Sequence, residues 1–111
     1  MSEREVGLCP RFHQAVELIG RRWTGALLQM LMDGPRRSSD LTGAVPDISD
    51  RMLSERLREL EAEGILRRVV VPDTPVRVEY ELTDKGRELR EPLRAISVWA
   101  EQWIAAPAGP E

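Results

Sequence analysis

The sequence predicts a mostly α-helical domain that carries one small β-hairpin, and three observations predict it. Apolar residues recur at helical spacing on both sides of a single segment, residues 65–82, whose period is two. That segment is split by "PDTP", a turn with two prolines. The length, 111 residues, suits one domain that buries its own core without disulfide staples, and the single cysteine permits no internal disulfide.

In chain order, "RFHQAVELIG" reads as a short first helix with Phe12, Ala15, Leu18 and Ile19 on one side and Gly20 at its end. "RWTGALLQMLMDGP" reads as a second, with Trp23, Leu27, Met30 and Leu31 at helical spacing and Gly34-Pro35 as its stop. Ser38 or Ser39 is expected to cap a brief third helix, "SDLTGAV", which Pro46 breaks. In "DISDRMLSERLRELEAEG", Ser49 is the expected N-cap and Gly64 the left-handed terminator. Placed on a wheel of about 100° per residue, Leu53, Leu57 and Leu60 share one stripe, with Arg51, Ser54, Glu55 and Arg58 roughly opposite.

"ILRRVVV" and "VRVEYEL" are the two strands, with Val76, Val78, Tyr80 and Leu82 expected inward and Arg77, Glu79 and Glu81 outward. A long final helix is expected from Thr83 through "DKGRELREPLRAISVWAEQWIA". Leu89, Leu93, Ile96, Ala100 and Trp103 form a coiled-coil-like stripe on it, and Pro92 either kinks it or marks a handover between segments. Residues 1–8 are expected to be flexible, 9–105 to form the single domain and 106–111 to be a disordered tail. Two short helices joined through a proline loop, followed by a hairpin, make a winged helix-turn-helix layout. In that layout the second helix of the pair enters the major groove, while the hairpin reaches the adjacent backbone or minor groove.

Charge tests this reading. The net charge of −3 argues against a generally basic nucleic-acid protein. Fields are local, however: charges more than a Debye length of ~8 Å apart are largely screened. Five arginines lie between Arg36 and Arg58, whereas Glu59, Glu61 and Glu63 crowd the end of the fourth helix. The DNA-facing set is therefore Ser49, Arg51, Ser54, Glu55 and Arg58 on that helix, Arg36 and Arg37 ahead of the third, and Arg77 on the wing. Arg67 and Arg68 stand second to Arg77. The competing reading is a solvated helix face and, for the wing, a cross-strand charge pair with Glu79 or Glu81.

With these motifs in order, the chain resembles the HxlR family of bacterial transcription regulators. The resemblance runs from "CP" (Cys9-Pro10) through "LIGRRWT", "DGPRR" and "ISDRMLSERLRELEAEGIL" to "PDTPVRVEYELTDKG", and extends to Trp103. It implies a homodimer whose terminal helices pack together and whose recognition helices and wings read a roughly palindromic operator. Members of the family act mostly as repressors, some as activators, and several respond to aldehydes, quinones or thiol stress through a cysteine near the N-terminus. By position that residue is Cys9. Ser38 stands where family members often carry an aromatic residue, so packing of the third helix is expected to differ there.

Apart from the resemblance, Cys9 reads as a small packed hydrophobe, and the sensing expectation comes mostly from the resemblance. Phe12, Leu89, Leu93, Ile96, Trp99, Ala100 and Trp103 are the expected dimer contacts, since tryptophans near a chain end expose an apolar patch of the kind that marks a partner. One histidine and one cysteine make no catalytic constellation, and no phosphate loop, dinucleotide fingerprint or spaced metal set is present. No enzyme activity, cofactor or metal is expected. The partners are double-stranded DNA, a second copy and a small-molecule effector, with no membrane. The absence of a signal peptide or membrane span, with one cysteine, points to the cytoplasm. The rival function is a winged-helix module for protein interaction without specific DNA binding.

Overall fold

The computed structural model describes residues 9–106, so the expectations for 1–8 and 107–111 lie outside the described residues. Helices α1 (Pro10–Ile19), α2 (Thr24–Met32), α3 (Ser38–Ala44) and α4 (Asp50–Ala62) precede strands β1 (Leu66–Val71) and β2 (Arg77–Leu82). Helices α5 (Asp84–Arg87) and α6 (Arg90–Trp103) follow. The core is a leucine cluster in which Leu27, Leu28 and Leu31 of α2 meet Leu41 of α3, and Leu53, Leu57 and Leu60 of α4. Leu66 and Leu82 close it from the hairpin, where they face each other in the antiparallel register.

Local chemistry explains the helix ends. The Ser49 hydroxyl accepts the Met52 N–H at 3.0 Å, capping α4 as expected. At the other end Gly64 has φ +75°, the Ile65 N–H reaches the Leu60 carbonyl at 2.9 Å, and the Gly64 N–H reaches Glu61 at 3.0 Å. This pair of bonds satisfies two carbonyls that the helix leaves open, and the left-handed residue between them favours glycine. The chain then turns directly into β1.

Four details differ from the sequence reading. Arg37, not Ser38 or Ser39, is the N-cap residue of α3, and the Asp40 carboxylate accepts the Arg37 N–H at 3.0 Å. The second helix starts only at Thr24, because Trp23 sits at φ +76° ahead of it. Val76 is 62% exposed and precedes β2, since the turn ends one residue later than alternation suggested. The expected single final helix is two: α5 stops at Arg87 and α6 starts at Arg90. Pro92 lacks the N–H that would bond the Glu88 carbonyl and its ring crowds that carbonyl, so the handover falls at Glu88–Leu89. The hairpin also gains a partner from outside, because Arg36 and Tyr80 exchange backbone bonds of 3.0 and 2.8 Å.

Candidate nucleic-acid interface

Helices α3 and α4 are joined by Val45–Ser49, with Val45 and Ile48 buried as anchors. Burying the leucine stripe of α4 forces the opposite face outward. Arg51, Ser54 and Arg58 are exposed there and Glu55 is half-buried, beside Arg51 at 3.7 Å. Arg58 makes no ion pair or hydrogen bond among the described residues, so its guanidinium is free to meet an anion. The Ser49 oxygen caps the helix as an acceptor, which leaves its hydroxyl hydrogen able to donate.

Arg37 is also exposed and without an ion pair among the described residues. Arg36 is engaged differently: its Nε donates to the Met30 carbonyl at 3.3 Å and its guanidinium lies 3.8 Å from Asp33. On the wing, Arg77 donates to Asp73 at 2.6 Å and to Glu79 at 3.0 Å. Its pKa is raised, first by the Glu79 hydrogen bond; desolvation opposes this, and the charges of Asp73 and Glu79 and the Asp73 hydrogen bond add to the rise. The pairing is therefore along the strand and across the turn, not across the strands. The cross-strand pair belongs to Arg67 and Glu81, at 2.6 Å. Arg68 stays exposed and without an ion pair among the described residues.

One arginine of the basic run is absent from this surface. Arg56 is 7% exposed and turns inward. The helix pattern places it beside Leu53 and Leu60 but does not show what holds it there, because the carbonyl it meets lies on Arg22, far back in the chain.

The apolar surface is concentrated elsewhere. Neither α1 nor α6 has a fully buried residue, in contrast with α2 and α4. Phe12 and Val16 are exposed on α1, and Ile96, Val98, Trp99 and Trp103 on α6. Of the expected dimer contacts, Leu89 and Leu93 instead pack against the domain's own core, and Ala100 is half-buried. Cys9 is exposed at the N-cap position of α1. Among the described residues no group of three His, Cys, Asp or Glu side chains is placed to hold a metal ion, and no helix is long and apolar enough to cross a membrane.

This arrangement of paired helices, hairpin and flanking helices has known counterparts. The sequence profile described as HxlR-like helix-turn-helix matches residues 18–107. The chain belongs to the HxlR-like helix-turn-helix family. YvaP of Bacillus subtilis (strain 168), an uncharacterized HTH-type transcriptional regulator, is 50% identical over 97 residues, covering 87% of this chain and 90% of YvaP. The reduced form of the transcriptional regulator YodB from B. subtilis superposes with a TM-score of 0.81 at 42% identity, covering 91% of this chain and 99% of YodB. The redox regulator HypR in its oxidized form gives a TM-score of 0.80 at 37% identity, covering 88% and 100%. The protein is thus a winged helix-turn-helix transcriptional regulator that binds DNA, and not an enzyme. The interaction-module reading finds no support among these relatives.

Proposed function

We propose that the protein acts in the cytoplasm as a homodimeric repressor that reads a two-fold operator, and that chemical modification of Cys9 changes its DNA affinity. The observation that carries the DNA reading is the division of α4, with Leu53, Leu57 and Leu60 in the core and Arg51, Ser54 and Arg58 in solvent. A helix so anchored presents a polar ridge to the major groove, where arginine can read guanine and glutamate can accept from cytosine. Ser49, Arg36 and Arg37 would serve the phosphates beside it. Arg77 and Arg68 would serve the wing contact.

The dimer reading rests on α1 and α6, the two helices without a fully buried residue, which leave Phe12, Val16, Ile96, Trp99 and Trp103 exposed. The effector reading rests on the exposed Cys9 at the head of α1 and on YodB, whose structures include diamide-treated and quinone-bound forms. With one thiol in the chain, oxidation gives a disulfide between two chains or with a small thiol, and a quinone gives an adduct. Selection of bound duplexes from a random pool, with reduced and with diamide-treated protein, tests these statements together. The expected result is a two-fold site enriched by the reduced protein and lost or altered after diamide. Failure to enrich any site would refute operator reading.

A further inference from the structure

The buried arginine of α4 has partners that an arginine serving only to fill space would not need. The Arg56 Nε donates to the Arg22 carbonyl at 2.9 Å, and its Nη1 donates to the two Glu59 carboxylate oxygens at 3.3 and 3.1 Å. The same carboxylate takes the Arg21 Nε at 3.1 Å. Recognition helix α4 is therefore tied at two points to the turn between α1 and α2. That turn is itself stiff. The Gly20 N–H bonds Val16 at 2.8 Å and the Thr24 N–H bonds Arg21 at 3.0 Å, Thr24 is buried, and the Arg22 guanidinium lies 4.8 Å from the centre of the Trp23 ring.

Apolar burial holds α4 in place but is non-directional: leucines tolerate a helix that rolls or slides slightly in its groove. A planar guanidinium is directional, because its donors lie in a rigid fork. Arg56 sits on the flank of α4, between the leucine stripe and the DNA-facing ridge, where a tether resists rotation about the helix axis. We propose that Arg56, braced by Glu59 and the Arg22 carbonyl, is a positioning residue that sets the roll of α4 and so aims Arg51, Ser54 and Arg58 at the base edges. This rests on the reading of α4 as the recognition helix. Base contacts are sensitive to such a roll, whereas phosphate contacts made by long flexible side chains are not.

The test compares two probes, a duplex selected by the parent protein from a random pool and a shuffled duplex of equal length, over a salt series. Arg56→Met keeps the volume and apolar stem, and replacing a buried ionic group by an apolar one of similar size is often tolerated by the fold. The expected result is cooperative melting near that of the parent and unchanged affinity and salt slope on the shuffled duplex. Discrimination between the two should fall about tenfold, as for the loss of a base contact. Arg56→Lys, able to reach one acceptor, should recover part of it. Unchanged discrimination in Arg56→Met would overturn the proposal. So would equal losses on both duplexes in step with a lowered melting temperature, which mark a purely structural residue, or a flattened salt slope, which marks a direct phosphate contact. If Arg56→Met does not fold, Glu59→Ala at the half-exposed end of the clasp decides: reduced discrimination supports the proposal and parental discrimination overturns it. A parent protein that prefers no duplex would instead overturn the recognition-helix reading, and the clasp with it.

Discussion

At the residue scale, side chains of one chemical type do different work according to what surrounds them. Arg58 points into solvent with no partner among the described residues, Arg77 is held by two carboxylates, and Arg56 is buried against a carbonyl. Arg58→Ala should accordingly cost ~1–3 kcal/mol of base discrimination and relax the preference at one position of each half-site. Arg51→Ala, which also gives up the Glu55 pair, should behave likewise, with melting unchanged in both. A binding titration showing parental discrimination in both variants would remove the outward face of α4 from the DNA. Gly86 illustrates the reverse case, a residue with no side chain because none fits. A Cβ there would collide with the Ile65 carbonyl oxygen and press on Leu82. Gly86→Ala should therefore destabilise the fold by ~1–3 kcal/mol, as overpacking does, read as a lower denaturation midpoint with an unaltered salt slope in the folded protein. The outward arginines were legible in the sequence because the leucine stripe defines its own opposite. Arg56 was not, since a flank position takes its meaning from a partner 34 residues away.

At the element scale, α2, α4 and both strands were legible from periodicity, because each buries one face against the same leucine core, and α3 from its stop at Pro46. What it missed follows from features without a period. The Arg36–Tyr80 bridge is a single extended residue pair, and the start of α2 depends on the left-handed Trp23. The α5–α6 handover was half legible: Pro92 announced a break, but the site of the break is set by which carbonyl the ring crowds. The wing shows how pairing within an element tempers its use. Arg67 is matched with Glu81, and Arg77 with Asp73 and Glu79, so a phosphate must compete with carboxylates already in place. Arg77→Ala should weaken binding evenly across sequences. The reduction in salt slope should be less than the one unit expected of a full phosphate contact. Arg68→Ala, removing from the same wing a cation without an ion pair among the described residues, should reduce the slope more. Salt titrations with the order reversed would place the wing on DNA through Arg77 instead.

At the scale of the whole molecule, the shape is not that of a closed domain. The radius of gyration is 16.4 Å, against about 13 Å for a compact chain of roughly this length, because α1 and α6 stand on the outside without a fully buried residue. Ile96, Trp99 and Trp103, spaced by three and four, put one apolar stripe on α6, while Leu89 and Leu93 hold its start to the core. A second copy covering that stripe would bury two tryptophans per chain, the residue type that most often dominates interface energetics. Trp103→Ala should thus cost about 2 kcal/mol or more of dimer stability, seen as a shift toward monomer in sedimentation, with operator affinity falling in parallel. A parent protein that sediments as a monomer at micromolar concentration would refute this. Cys9 extends the same argument, since it heads α1 and is exposed one helical turn from His13, whose N–H bonds its carbonyl at 3.0 Å. If α1 lies in the dimer seam, a bulky adduct or an interchain disulfide at Cys9 changes how the two chains sit. The two recognition helices must stay about 34 Å apart to enter successive major grooves on one side of the duplex. Diamide or a quinone should therefore shift operator binding by the parent and leave Cys9→Ser unaffected, measured on the same duplex. Equal responses from the two proteins would assign the thiol a passive role while leaving the face of α4 where the leucines put it.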